Sequence, residues 1–109
     1  MGKVNLLVKY CLINESMEYN IKGIYQNNKL IFKDLENTMI LDLKGNVLER
    51  KKDNKTIVLD FNKKNGIIID NSYKLNIDID VIELKNKKNN FYVKYKIEDN
   101  SFEIEINIL

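Results

Sequence analysis

Three consecutive stretches near the end of the chain decide the fold: YKLNIDIDV at residues 73–81, FYVKYKIE at residues 91–98 and SFEIEINI at residues 101–108. In each stretch apolar and polar side chains alternate with a period of two, which is typical of a strand with one buried and one solvated face. A two-residue turn at Asp99-Asn100 would place Ile97 opposite Phe102. The three stretches therefore predict an antiparallel meander.

The same alternation runs through the preceding part of the chain, where the first strand is predicted at residues 4–13. Turns rich in Asn, Asp and Gly separate the strands, and two-residue connections pair Gly23 with Phe32 and Phe32 with Leu41. These pairings place most of the apolar side chains on one face. A meander this long usually closes, because closure removes exposed strand edges. We therefore expect an all-β, antiparallel up-and-down barrel of eight to ten strands, formed by residues 1–109 as one domain.

Composition and charge narrow the class of protein. Alanine and proline are absent and isoleucine is abundant, which favours strands over helices. Eighteen basic and sixteen acidic residues are spread evenly, so the chain lacks the basic patch of a nucleic-acid-binding protein. The single cysteine, Cys11, fits a reducing compartment, and the first residues do not form a signal peptide. The expectation is a cytoplasmic protein that contacts neither nucleic acid nor membrane.

Arg50 is the only arginine, and the predicted pairing turns it inward beside Ile57. On the same row Ile57 would face Asp70, so an internal ion pair between Arg50 and Asp70 is predicted. A fixed guanidinium inside a barrel can hold a carboxylate or phosphate by two hydrogen bonds. Alternatively, Arg50 lies at the barrel mouth, or closes the floor against Asp70, and binds nothing.

Inward tyrosines are the second candidate feature of a binding site. Aromatic faces and hydroxyl groups suit a ligand pocket, although such residues also simply fill small barrels. The tyrosines that the pattern turns inward are Tyr10, Tyr19, Tyr25, Tyr73 and Tyr95. Asp34 is also turned inward, next to a predicted Glu36-Asn37 turn, where a solvated rim position is the alternative.

Catalysis and metal binding have little support in the sequence. The chain contains no histidine, the usual general base and metal ligand, and Cys11 is predicted to face outward. We expect no enzymatic activity, no cofactor and no metal site.

The outer face offers an alternative site, an interface. Val58 is predicted opposite Ile69, with Val47 and Ile67 nearby. A contiguous apolar patch of this kind marks a protein interface, whereas scattered aliphatic side chains do not. A homodimer, or a complex with another protein, would use this surface.

Residues 23–108 resemble the YwiB-like family, small uncharacterised bacterial proteins with a calycin-like, or lipocalin-like, β-barrel. The resemblance is carried by Gly23 and Tyr25 before Asn28 and Leu30, a strand at Thr38, Arg50 after Val47 and Leu48, Gly66, Tyr73 and a late strand containing Tyr95. The chain departs from the family at Lys51-Lys52 and Asn71-Ser72, where the family carries glycine. The resemblance implies a calycin-like barrel, and calycin relatives generally bind small apolar molecules.

Together these features predict a non-enzymatic barrel that binds a small apolar or acidic ligand through Arg50 and the inward tyrosines. The alternative is a structural or protein-interaction module whose barrel interior is fully packed.

Overall fold

The computed structural model describes residues 2–12 and 14–109, and these residues form eleven β-strands with no helix. The last residue of the predicted first strand, Ile13, lies outside the described residues. The strands are β1 (Gly2–Leu12), β2 (Glu15–Gln26), β3 (Lys29–Asp34), β4 (Asn37–Asp42), β5 (Val47–Lys52), β6 (Lys55–Asp60), β7 (Asn65–Asp70), β8 (Tyr73–Asp78), β9 (Asp80–Lys87), β10 (Asn90–Ile97) and β11 (Asn100–Ile108). Accordingly, the described residues include no helix long and apolar enough to span a membrane.

All strands belong to one sheet, in the order β8-β7-β6-β5-β4-β3-β2-β1-β11-β10-β9. Every neighbouring pair is antiparallel, and only the contact between β1 and β11 joins strands distant in sequence. The sheet curls into a barrel that is nearly closed, with one seam. The predicted all-β antiparallel barrel is therefore confirmed.

The seam lies where one long strand divides into two. In the sheet order, ten antiparallel pairings lie between β8 at one end and β9 at the other. Each pairing reverses the strand direction, and ten is an even number, so β8 and β9 run in the same direction. Only Ile79 separates them in the chain. β8 pairs with β7, and β9 pairs with β10, so each half has one partner and one free edge. If the two halves are counted as one interrupted strand, the barrel has ten strands.

Most predicted facings are correct, although Tyr73, which was expected to point inward, is 80% exposed. Several predicted pairings are displaced by two residues. Phe32 faces Met39 rather than Leu41, and Phe102 faces Tyr95 rather than Ile97. Since side chains alternate with a period of two, a shift of two residues keeps each side chain on its face but moves it along the barrel. Gly23 does lie opposite Phe32, as predicted.

The interior is packed solidly at one end of the barrel. Phe61 packs against Phe91 there, with 6.3 Å between the ring centroids, and its centroid lies 5.2 Å from that of Tyr95, which separates this end from the other. Ile79, only 4% exposed, belongs to the same core, and its backbone N–H donates to the carbonyl oxygen of Lys64. The break between β8 and β9 is thus held in the core by a buried side chain and a backbone hydrogen bond.

Candidate functional site

A cavity of about 410 Å³ occupies the other end of the barrel, near the β1–β2, β3–β4 and β5–β6 turns. Side chains from every strand except β9 line it. Its base is formed by Leu48, Leu59 and Ile104, which belong to the buried core. Its volume falls within the range of about 300 to 1,000 Å³ that is usual for small-molecule sites. The barrel is therefore packed at one end and hollow at the other.

The cavity wall has a polar side and an apolar side. On the polar side lie Tyr10 of β1, Asp34 of β3, Asn37 of β4 and Arg50 of β5; we refer to these four residues as the polar cluster. On the apolar side lie Ile57 of β6, Ile68 of β7, Ile77 of β8 and Ile97 of β10. The division suits a molecule with one polar end and one apolar body.

Arg50 lines the cavity but remains exposed to solvent, so it lies at the mouth. On β5, Arg50 lies opposite Met39 of β4 and opposite Ile57 of β6. Within residues 2–12 and 14–109, no carboxylate lies within 4.0 Å of its guanidinium. Its hydrogen-bond donors are therefore available to a bound molecule.

The predicted ion pair between Arg50 and Asp70 does not form. Ile57 faces Ile68 rather than Asp70, because the β6–β7 connection is displaced by two residues from the predicted pairing. Asp70 lies opposite Lys55 and Tyr73 and is exposed. Neither Asp70 nor Tyr73 lines the cavity.

Tyr10 brings a buried hydroxyl group to the polar cluster. Its ring packs edge-on against Tyr19, with 6.1 Å between the centroids. Burial, and secondarily the nearby Asp34 carboxyl, raises the pKa of Tyr10, while Arg50 acts in the opposite direction. Although Asp34 is close enough to exert this effect, the hydroxyl completes no hydrogen bond in the described part of the chain. Tyr10 therefore presents a neutral, unpaired hydroxyl.

Asn37 is the most deeply buried member of the polar cluster, at 7% exposure. Its Nδ2 donates to the backbone carbonyl oxygen of Asp34 across the β3–β4 turn, at 3.3 Å. Its other amide atom, Oδ1, is buried and has no hydrogen-bond partner among the described residues. Since an unpaired buried acceptor costs free energy, this atom is a natural contact for a ligand.

The five tyrosines that were predicted to point inward lie at three different positions in the barrel. Tyr10, Tyr19 and Tyr95 line the cavity together with Arg50. The Tyr95 ring stacks on Phe102 at 5.3 Å, and burial raises the pKa of Tyr95 to about 12 although Arg50 lowers it. Tyr25 and Tyr73 do not belong to this group. Tyr25 lies at the opposite end, where its hydroxyl donates to Asn28 Oδ1, and the Tyr73 side chain is 80% exposed.

A second concavity, of about 850 Å³, lies at the packed end of the barrel near Tyr25. It is larger but much more open, and Lys44, Lys87 and Lys88 on its wall are exposed surface residues. We regard the cavity of about 410 Å³ as the functional candidate because the buried polar atoms that lack a partner in residues 2–12 and 14–109 lie on its wall.

The predicted outer-face patch is only partly assembled. Val58 lies opposite Ile67, whereas Ile69 lies opposite Thr56; the predicted pairing of Val58 with Ile69 is therefore wrong. Val47 faces Asp60. Ile67 is 37% exposed, and Val47, Val58 and Ile69 are half-buried.

Two residues of the cavity lie in a different structural setting from the one predicted. Asn37 was expected in a turn and begins β4 instead, because the turn is formed by Leu35 and Glu36. Ile77 was expected to point inward within one continuous strand over residues 73–81, and it does line the cavity, but that strand is interrupted after Asp78. The spacing of Asp34 and Asn37 is the available signal for the first, since an asparagine side chain can bond to the carbonyl three residues earlier.

The described residues contain no cluster of three His, Cys, Asp or Glu side chains able to hold a metal ion. Comparison with protein-family models, with curated proteins and with solved structures gives no match for the chain. The geometry of the cavity therefore carries the functional argument.

Proposed function

We propose that this protein is a non-enzymatic binding protein that holds a small molecule, apolar except at one end, inside a calycin-like barrel. One observation carries the proposal: the hollow end of the barrel is lined by isoleucines on one side and by the polar cluster on the other. A barrel that served only as a packed structural module would fill this space, since protein interiors normally contain few large voids. The proposal agrees with the binding of small apolar molecules that is general among the calycin relatives of the YwiB-like family, which this chain resembles.

The size of the cavity bounds the ligand. At the packing density of a protein interior, 410 Å³ accommodates about 300 Å³ of ligand atoms. The apolar body of the ligand lies against Ile57, Ile68 and Ile77, and its polar end reaches Arg50 and Tyr10. The ligand gains most of its affinity from apolar burial, and the polar cluster sets its orientation.

Binding of N-phenyl-1-naphthylamine, a neutral aromatic probe, tests this function. We expect one probe molecule per chain in a fluorescence titration, and we expect Ile57→Trp to weaken binding, because its indole ring would occupy part of the space that the probe needs. The matched control is Val58→Trp, the next residue on the same strand, which faces outward opposite Ile67. Cooperative thermal unfolding of both variants verifies that they fold. Equal probe binding by both variants would contradict the proposal, as would no binding by the unmodified protein.

A second candidate function is self-association through the outer face of the barrel. A row of aliphatic residues crosses this face in register: Ile31 pairs with Ile40, and Val58 pairs with Ile67, with Glu49 between the two pairs. Light scattering after size-exclusion chromatography tests this alternative. A dimer that Ile67→Lys converts to a monomer supports it, whereas a monomeric unmodified protein excludes it.

A further inference from the structure

The polar cluster contains groups of both hydrogen-bonding types. Arg50 and the Tyr10 hydroxyl are donors, whereas Asn37 Oδ1 is an acceptor and cannot donate. Asn37 is 7% exposed, its Nδ2 already donates to the Asp34 carbonyl oxygen, and its Oδ1 has no partner in the described chain. A ligand that supplies only acceptors would satisfy Arg50 and Tyr10 and leave this buried oxygen unpaired.

The charges of the cluster oppose each other as well. Asp34 and Arg50 both lie close enough to Tyr10 to influence its hydroxyl, and they do so in opposite directions. Both residues also line the same cavity, so a carboxylate bound by Arg50 would share it with the Asp34 carboxylate, and an ammonium group bound by Asp34 would share it with the guanidinium. Like charges brought together in a partly desolvated site disfavour binding. A neutral group avoids both conflicts.

The geometry points to a ligand whose head group is neutral and carries a hydrogen-bond acceptor beside a hydrogen-bond donor, as in a carboxamide. The acceptor meets Arg50 and the Tyr10 hydroxyl, and the N–H group meets Asn37 Oδ1. This inference rests on the proposed binding function, and it replaces the acidic ligand expected from Arg50 alone with an amide-like one. The hydrocarbon part lies against the isoleucines of the opposite wall.

Four probes with the same ten-carbon skeleton and different head groups test the inference on the unmodified protein. They are decanamide, with a donor and an acceptor; methyl decanoate, with acceptors only; decanoate, which is anionic; and decylammonium, which is cationic. Competition with a bound fluorescent probe gives their relative affinities. We expect decanamide to bind about tenfold more tightly than each of the other three, since the others leave a buried polar atom unpaired or bring like charges together.

Two variants then test which residues cause the preference for decanamide. Asn37→Leu removes the unpaired oxygen, and we expect it to reduce the preference for decanamide over methyl decanoate to about twofold or less. Tyr10→Phe removes a donor, and we expect it to weaken both of these probes while leaving their ratio unchanged. The ranking on the unmodified protein needs no variant, so a folding defect in Asn37→Leu would not affect the test.

The possible outcomes separate this inference from the proposed function. Tightest binding of decanoate, of decylammonium or of methyl decanoate would overturn the amide-like head group while leaving a binding barrel. Equal binding of all four probes would overturn it too, because the head group would then contribute nothing. No binding of any probe would overturn the proposed function, and the present inference with it.

Discussion

Asn37 and Asp34 are joined across the β3–β4 turn by a hydrogen bond from Asn37 Nδ2 to the Asp34 backbone carbonyl oxygen, 3.3 Å long. The bond fixes the orientation of the Asn37 amide, and so determines that its buried Oδ1 is the atom without a partner in the described residues. It closes a turn in which Leu35 adopts a φ of 55° and is 82% exposed. A local turn conformation thereby sets the hydrogen-bonding character of the cavity.

The position of Arg50 predicts a small role in stability. Because the side chain is exposed at the mouth and has no ion-pair partner in the described chain, we expect Arg50→Leu to change the free energy of unfolding by no more than about 0.5 kcal/mol. The matched control is Leu48→Ala, two residues earlier on the same face, 3% exposed, which should cost about 2 to 5 kcal/mol. Urea denaturation measures both. A loss of several kcal/mol for Arg50→Leu would show that the guanidinium has a buried partner.

Gly66 is required for close packing of β7 against its neighbours. A Cβ atom at this position would lie 2.9 Å from the Val58 carbonyl oxygen and 3.0 Å from Ile77 Cγ1. We expect Gly66→Ala to destabilise the protein by roughly 1 to 3 kcal/mol, since packed backbone cannot move aside freely. Gly45→Ala is the control, because its nearest neighbour would be 3.5 Å away. Thermal unfolding compares them, and equal melting temperatures would contradict the prediction.

From the raised pKa of Tyr95 we predict that the folded protein loses stability at alkaline pH. Burial raises the pKa of Tyr95 from 10.0 to about 12, so between these values the folded protein keeps a proton that the unfolded chain releases. The unfolded state then binds fewer protons, and stability falls as pH rises. The contribution of this group is about 1.4 kcal/mol per pH unit. We expect Tyr95→Phe to show a shallower decline in urea stability between pH 10 and 12; an unchanged slope would count against the buried, neutral hydroxyl.

From the free edge of β8 we predict fast exchange of its backbone amide hydrogens with solvent. β8 pairs only with β7, so about half of its amide groups lack a strand partner. β11 is paired on both sides, by β1 and β10. Hydrogen–deuterium exchange followed by mass spectrometry should show rapid labelling of residues 73–78 and slow labelling of residues 100–108. Similar protection of the two segments would mean that the seam is closed in solution.

The alternation of apolar and polar residues was sufficient to predict most of the strands and their facings, but not the break at Ile79 or the extent of β9 (Asp80–Lys87). Tyr10, Asp34, Arg50 and Ile57 were expected to point inward, and all four line the cavity. Alternation is a local property, and errors of two residues in pairing do not alter it. For this reason the register errors at Phe32 and Phe102 left the predicted barrel intact.

The level of each side chain along the barrel was harder to predict, because it depends on which residues form the turns. Leu35 and Glu98 adopt φ values of 55° and 56°, a conformation that is uncommon for such residues. These turns moved Asn37 into β4, and the displaced β6–β7 connection separated Asp70 from Arg50. Which residues form a turn also depends on how the flanking strands pair, so the turn residues alone do not fix the register.

The sequence by itself determined an all-β chain with one apolar and one polar face, because strand formation follows from a repeat of two residues that neighbours in the chain already express. Only the tertiary structure decided that the barrel is packed around Phe61 at one end and hollow at the other, and that Ile79 divides its last strand in two. Closure joins β1 to β11, almost a hundred residues apart, and the stagger between them results from every intervening pairing. A local sequence pattern does not specify this cumulative stagger.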